Sequence, residues 1–464
     1  MSDATYTYHV NIISRESVQV RKIDGNGRSA GNPPGTFGYK GNRKKLIENL
    51  SQKANARTIT SDEIQTLGET LFQVLFNESL RVDFLKTYNE LKKENNITLR
   101  LELGADEKTL PDVAALPWEF LCAPSNDITG QVWLGTDPNV VLSRTRDLWE
   151  PAAPIQLATN EKLRIAVVVS APTDNPVKVL YEKLWQALQK LAEDNSEKIE
   201  LLPLVQSATK EAIDDLLEDH EPHIFHFIGH GRLKNEAGNE IGEIALMHES
   251  GQARWVDAQR FSTLFARHQP GVVLLQACEG GQLSASQAFA GVASQIVQQQ
   301  IPVVVAMQYE VSNSIARKFA VEFYERLAEF KPVDVAAQEG RNRISDFNSS
   351  RNFATPVLFM RAEKGHLFSP PSAAAQNPEP VTPHAPGELA SEQRSQLRMK
   401  LSKYFSLNDL YGLCFDLNID KDNFPTTQGK DTFIQHLVEY LERNGRIDQF
   451  LALCKRDRPK VQWP

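Results

Sequence analysis

Cysteine is scarce: four residues, at positions 122, 278, 414 and 454, in a chain of 464. So few thiols so far apart form no disulfide framework, which excludes a small secreted scaffold and points to a reducing cytoplasm. No apolar run approaches the roughly 20 residues needed to span a bilayer. Met1-Ser2-Asp3-Ala4 has neither the basic start nor the apolar core of a signal peptide. Positive charge is also in deficit, with 51 Lys and Arg against 59 Asp and Glu and a formal net charge of −8. That balance argues against a dedicated nucleic-acid binder. The glycine-rich stretch from Gly25 to Gly41 lacks the Lys-Ser/Thr ending of a phosphate loop. It is expected to be a flexible loop rather than a nucleotide site. The remaining composition, 41% hydrophobic and 24% charged, is that of a soluble globular protein of two to four domains. The expectation is a cytoplasmic protein with no nucleic-acid and no membrane partner.

What is present is a spaced pair of motifs. His226-Phe227-Ile228-Gly229-His230-Gly231 precedes Gln276-Ala277-Cys278-Glu279-Gly280, with 48 residues from His230 to Cys278. Each motif ends a short apolar run, Ile224 to Ile228 and Val272 to Leu275. Such runs read as buried strands of a parallel sheet. In open α/β sheets chemistry collects beyond the carboxyl ends of the strands, so two neighbouring strands would carry an imidazole and a thiol to one edge. A thiol needs a base or a depressed pKa to attack a carbonyl. His230 is the candidate general acid and base, Cys278 the candidate nucleophile. The amides of Gly231 and Cys278 are candidate donors to a developing oxyanion. The spacing and the Gln-Ala-Cys-x-Gly string match the caspase signature, with Glu279 in its variable position.

At these residues the chain resembles the caspase-like clan and, within it, the CHAT protease family of bacteria. Leu116-Pro117-Trp118-Glu119-Phe120-Leu121 resembles that family's upstream LPWE motif. Pro302 to Tyr309, Phe319 to Leu327 and Pro356 to Met360 resemble its elements after the cysteine, so that roughly residues 60–365 are covered. One departure is Gln276, where the family often has asparagine. The resemblance implies a cysteine endopeptidase in which a backbone carbonyl, not a carboxylate, orients the imidazole. It also implies an α/β caspase-like fold: a mostly parallel sheet flanked by helices, with an N-terminal α+β lobe.

Periodicity divides the chain further. Residues 1–57 hold a hairpin (Tyr6, Tyr8, Val10 and Ile12 answered by Val18 and Val20) and the glycine-rich loop. Residues 58–160 make the N-terminal lobe, opened by a helix near Ser61. Residues 161–368 make the protease core, with strands at Leu163–Val169, Ile199–Val205, the two motif runs and Val303–Met307. A Pro/Ala-rich linker, 369–391, leads to several short amphipathic helices in 392–464. This small all-α domain resembles the bacterial effector-associated domains of death-like fold, which implies docking onto another such domain and makes an oligomer plausible.

The remaining candidates concern specificity and metal. Glu310, in Tyr309-Glu310-Val311-Ser312-Asn313, looks like the segment by which separase places an acid in its primary pocket, where a basic side chain would pair with it. Gln276 could bond a polar side chain, and Asp257 is a third candidate. Cleavage after Arg or Lys is the favoured expectation, with Asp or a neutral residue open. His220, His223, His226 and His230 are spaced as metal ligands on a helix would be, but the segment is a strand, so no metal and no cofactor are expected. His226 should lie beneath the active site, and His220 and His223 in exposed loops. Cys122, Cys414 and Cys454 are expected to be small core residues. The resemblance implies a regulated protease in bacterial defence or cell death; its rival is a non-catalytic scaffold.

Overall fold

The computed structural model describes residues 4–464 except 94–96, 107–108, 126–129, 146–151, 176, 237–238, 267, 278–283, 299–300, 362–364, 371–390, 406, 418, 420–429, 444–445, 459–462 and 464. A twelve-stranded sheet runs through the larger part of the chain. From one edge its strands are Ile199–Leu201, Leu163–Val169, Ile224–Gly229, Val272–Ala277, Val303–Met307 and Pro356–Met360. It continues through Val140–Thr145, Ile97–Ala105, Ala4–Ile12, Ser17–Ile23 and Ser29–Gly31, with Pro34–Thr36 also paired to Ser17–Ile23. Neighbours are parallel except at Pro356–Met360 on Val303–Met307 and within the N-terminal hairpin and its short additions.

The central strands Ile224–Gly229, Val272–Ala277, Val303–Met307 and Pro356–Met360 are buried at every position because both faces are covered. Along Val303–Met307, the residues Val303, Val305 and Met307 join the core beneath helices Glu182–Asp194, Asn313–Ala328 and Val333–Ile344. Val304 and Ala306 join the opposite core, beneath Lys210–His220, Ala258–Ser262 and Ser284–Gln298. Thr209 caps Lys210–His220 by accepting the Ala212 amide, as a Thr ahead of an apolar-periodic run should.

The hairpin forms in the expected register, Val10 opposite Val20 and Ile12 opposite Val18. Three features differ from expectation. The helix near Ser61 takes Thr60, one residue earlier, as its cap, in a reciprocal capping box with Glu63. The glycine-rich stretch is ordered: Asp24 accepts the amides of Asn26 and Arg28, and two short strands follow. Gly41–Asn55 is a helix, whose Ile47, Leu50 and Ala54 are buried at helical spacing beneath a charged surface. The charged and glycine-rich flank conceals that period.

The lobe is not a separate body. Its sheet is continuous with the core through Phe359 opposite Arg144 and Met360 opposite Thr145. A fully buried ion pair crosses the same seam, Arg100 Nε to Asp334 Oδ2 at 2.8 Å. Residues 1–371 form one compact unit and 372–464 another. The second unit, taken by itself, has helices Ser391–Tyr404, Leu407–Asp416, Lys430–Arg443 and Ile447–Asp457 around a core that includes Leu397, Leu410, Phe433, Leu437 and Phe450. Linker residues 371–390 lie outside the described residues. Among the described residues no helix is long and apolar enough to cross a membrane.

Candidate active site

The two motif strands are immediate neighbours. Ile224–Gly229 runs parallel to Val272–Ala277, from Ile224 opposite Val272 to Gly229 opposite Ala277, and every residue of both is buried. Both strands therefore end at the same edge of the sheet, where His230 follows the first; Cys278 is next in sequence after the second. Cys278 itself, with Glu279 and Gly280, lies outside the described residues. Gly229 is dictated by crowding: a Cβ there would come within 2.8 Å of the Phe227 ring and 3.1 Å of Ser170.

His230 is 4% exposed. Its Nε2 is buried and without a hydrogen-bond partner among the described residues. Apart from burial, the group that acts on the ring is the backbone of Val177. Burial holds the imidazole below its ordinary pKa, with the Val177 bond acting in the opposite sense. A neutral ring whose Nε2 is not engaged by any described residue suits a general base.

Gly231 opens a strand, Gly231–Glu236, of a small antiparallel sheet with Asn239–Met247 and Ala253–Asp257. The His230 carbonyl accepts the Ala245 amide at 2.9 Å. The next pair, Gly231 with Ile244, is therefore of the non-hydrogen-bonded kind, and the Gly231 N–H points off the hairpin.

Beneath this edge lies a buried polar relay. The Tyr324 hydroxyl donates to His226 Nδ1 at 2.9 Å, and His226 Nε2–H donates to Gln276 Oε1 at 3.2 Å. Burial pushes His226 down to about 4, so it is neutral. Gln276, 2% exposed, thus spends its carbonyl oxygen inside the sheet, two residues before Cys278. Asp257 caps helix Ala258–Ser262 by accepting the Arg260 amide at 2.8 Å and stands opposite Glu243 in the ladder. Glu310 lies past the end of Val303–Met307, at the same edge, and pairs with Arg57 at 3.0 Å.

The expectation for His223 is corrected. It is 6% exposed rather than a loop residue in solvent. Its Nδ1 accepts the Arg164 amide at 3.0 Å and its ring packs edge-on against Phe368. Burial lowers it to about 4, despite Glu161 at 3.4 Å from Nε2. His220 ends helix Lys210–His220.

These buried histidines make an acid-stability prediction. Between the ordinary value near 6.5 and about 4, the unfolded chain binds protons that His223 and His226 in the native fold refuse. Stability should therefore fall as pH drops through that window, each histidine contributing about 1.4 kcal/mol per pH unit. Urea unfolding at pH 7.5, 6 and 5 measures this, and His223→Asn, which can still accept the Arg164 amide, should flatten the slope. A stability independent of pH over that range would contradict the neutral assignments.

Several contributors were not foreseen. Glu119, the acid of the LPWE-like motif, is fully buried and takes Arg144 through Nε at 3.0 Å and Nη2 at 2.6 Å. It also accepts Gln308 Nε2 at 2.9 Å, which ties the motif to the exit of Val303–Met307, two residues before Glu310. A carboxylate within an apolar motif is itself a signal of a buried partner, although the sequence does not say which. Val177 and Tyr324 carry no such signal. The other three thiols are buried, which disfavours their thiolates: burial pushes Cys122 and Cys454 up to about 12 and Cys414 to about 11.

The geometry can be set beside known families. No curated protein matches the chain significantly. A profile for effector-associated domain 7 matches residues 397–459. A profile for the CHAT domain matches residues 65–371, well over half of the chain and the whole of the site just described. The chain belongs to the CHAT family, a caspase-like, protease-type domain, and carries an effector-associated domain behind it.

Proposed function

We propose that the protein is a cysteine endopeptidase whose dyad is His230 and Cys278. The observation that carries the reading is His230 itself: an imidazole that burial keeps in its neutral form, Nε2 buried and without a partner among the described residues, at the edge where the neighbouring strand ends one residue before Cys278. In this reading Nε2 takes the thiol proton, and the thiolate attacks the peptide carbonyl. The Gly231 and Cys278 amides receive the oxyanion, and the imidazolium protonates the leaving amine. Water then hydrolyses the thioester with His230 as base. The Tyr324–His226–Gln276 relay supports the base of the cysteine strand rather than touching substrate. Asp257, spent as a helix cap, has less to offer a substrate than Glu310, the acid at the same edge as the dyad. Glu310 therefore selects Arg or Lys before the scissile bond. The effector-associated domain docks the enzyme onto a partner carrying a similar domain, in a defence or cell-death response.

A mixed peptide library offered to the wild-type chain, Cys278→Ala and Glu310→Gln tests the reading. Cuts after Arg or Lys are expected from the wild type, none from Cys278→Ala, and a loss of basic preference in Glu310→Gln. Cysteine-dependent cuts after other residues would remove Glu310 from the account. Cuts that survive Cys278→Ala would remove the dyad.

A further inference from the structure

The Glu310 carboxylate already holds a guanidinium. Arg57 Nη2 lies 3.0 Å from Glu310 Oε2, with the arginine side chain 44% exposed and the glutamate 16%. Arg57 reaches it from an unusual backbone. It follows helix Gly41–Asn55 with a φ of 59°, the left-handed conformation that ends helices and that glycine takes at least cost. The turn is closed in the manner of such endings, with Thr58 N–H donating to the Lys53 carbonyl at 2.9 Å and Arg57 N–H to Ala54 at 3.3 Å. A large charged residue thus stands where glycine is the usual choice. Strain of this kind in a non-glycine residue concentrates at functional positions.

A second arginine fixes the arrangement. Arg351, 9% exposed, donates Nη1 to the Ala54 carbonyl at 2.7 Å and Nη2 to the Glu310 carbonyl at 2.8 Å, with its guanidinium 5.2 Å above the Tyr309 ring. It therefore joins the helix end to the Glu310 segment through backbone atoms. Arg57 plays the other part: half-exposed, on a turn, bonded to the carboxylate side chain. Arg351 is built to stay; Arg57 can swing into solvent without breaking the seam.

We infer that Arg57 is a displaceable cap on Glu310, an internal stand-in for the basic side chain of a substrate. The inference rests on the reading of Glu310 as the acid that recognises that side chain. A substrate Arg or Lys must evict Arg57 to form its charge-assisted bond, so the cap lowers affinity for basic peptides and leaves the chemistry alone. If the uncapped arrangement is about a tenth of the population, apparent affinity drops about tenfold, and the effect falls on KM rather than kcat.

Arg57→Gly is the informative variant, because the left-handed position favours glycine and the fold should tolerate it. Benzamidine, a small aromatic amidinium, reports the carboxylate without any turnover. By calorimetry on the full chain it should bind Arg57→Gly about tenfold more tightly than wild type, and bind Glu310→Gln no better than background. With paired peptides that differ only in Arg or norleucine before the scissile bond, Arg57→Gly should lower KM for the Arg peptide by a similar factor at unchanged kcat. The norleucine peptide should be unaffected. Equal benzamidine affinity in wild type and Arg57→Gly, lost in Glu310→Gln, would overturn the cap and leave Glu310 as the recognising acid. Binding and peptide preference that ignore Glu310→Gln would overturn both. Absence of binding to Arg57→Gly would likewise overturn the cap.

Discussion

Replacing His230 with alanine should lower kcat/KM for any cleaved peptide by about 10²–10⁴-fold, the usual worth of a positioned acid–base group. The loss should fall mainly on kcat, since His230 acts on protons in transit rather than on substrate affinity. His230→Asn keeps a planar polar side chain of similar reach while removing the base, and should be as inactive as alanine. That separates catalysis from ring packing. The acid limb of the wild-type profile should lie below the ordinary imidazole value, because burial favours the neutral ring. Activity in His230→Ala within a few-fold of wild type would assign the base to another group.

Glu119→Ala should be the most damaging substitution to the fold outside the dyad. It strands Arg144 in the interior; the Ala114 and Leu116 carbonyls, at 2.9 and 3.0 Å, still bond the guanidinium but cannot neutralise it. Breaking a buried pair from one side costs about 3–5 kcal/mol, read as a lower urea midpoint at unchanged slope. Gln308 loses its carboxylate partner at the same time, so residual folded enzyme should show a raised KM for basic peptides. Glu119→Gln keeps an acceptor for Gln308 and should fall between the two. A loss below about 1 kcal/mol for the alanine variant would mean that the pair is solvated in solution.

How much of this could be read from the chain depends on how local the cause is. The runs Ile224 to Ile228 and Val272 to Leu275 carry their strand signal within five residues, and they pair side by side as their apolar character requires. The glycine that ends the first, Gly229, is likewise local. The short amphipathic helices expected in 392–464 form for the same reason. Partnerships across long separations were not legible. Nothing near His223 in sequence announces that the Arg164 amide will take its Nδ1, 59 residues away. Glu310 looked like an open acid because Arg57 lies in another segment of the chain, and only the closure of the helix end onto that edge brings them together. The helix Gly41–Asn55 was hidden for a different reason: its three buried positions are diluted by lysine, arginine and asparagine that face water.

The central claim is that His230 activates Cys278. Incubating the full chain with a limiting amount of a thiol-directed electrophile, followed by mass mapping of the modified residue, measures that directly and needs no substrate. Rapid modification is expected at Cys278 in the wild type and much slower modification there in His230→Ala. None is expected at Cys122, Cys414 or Cys454, whose thiols burial keeps protonated. Equal rates at Cys278 with and without His230 would contradict it.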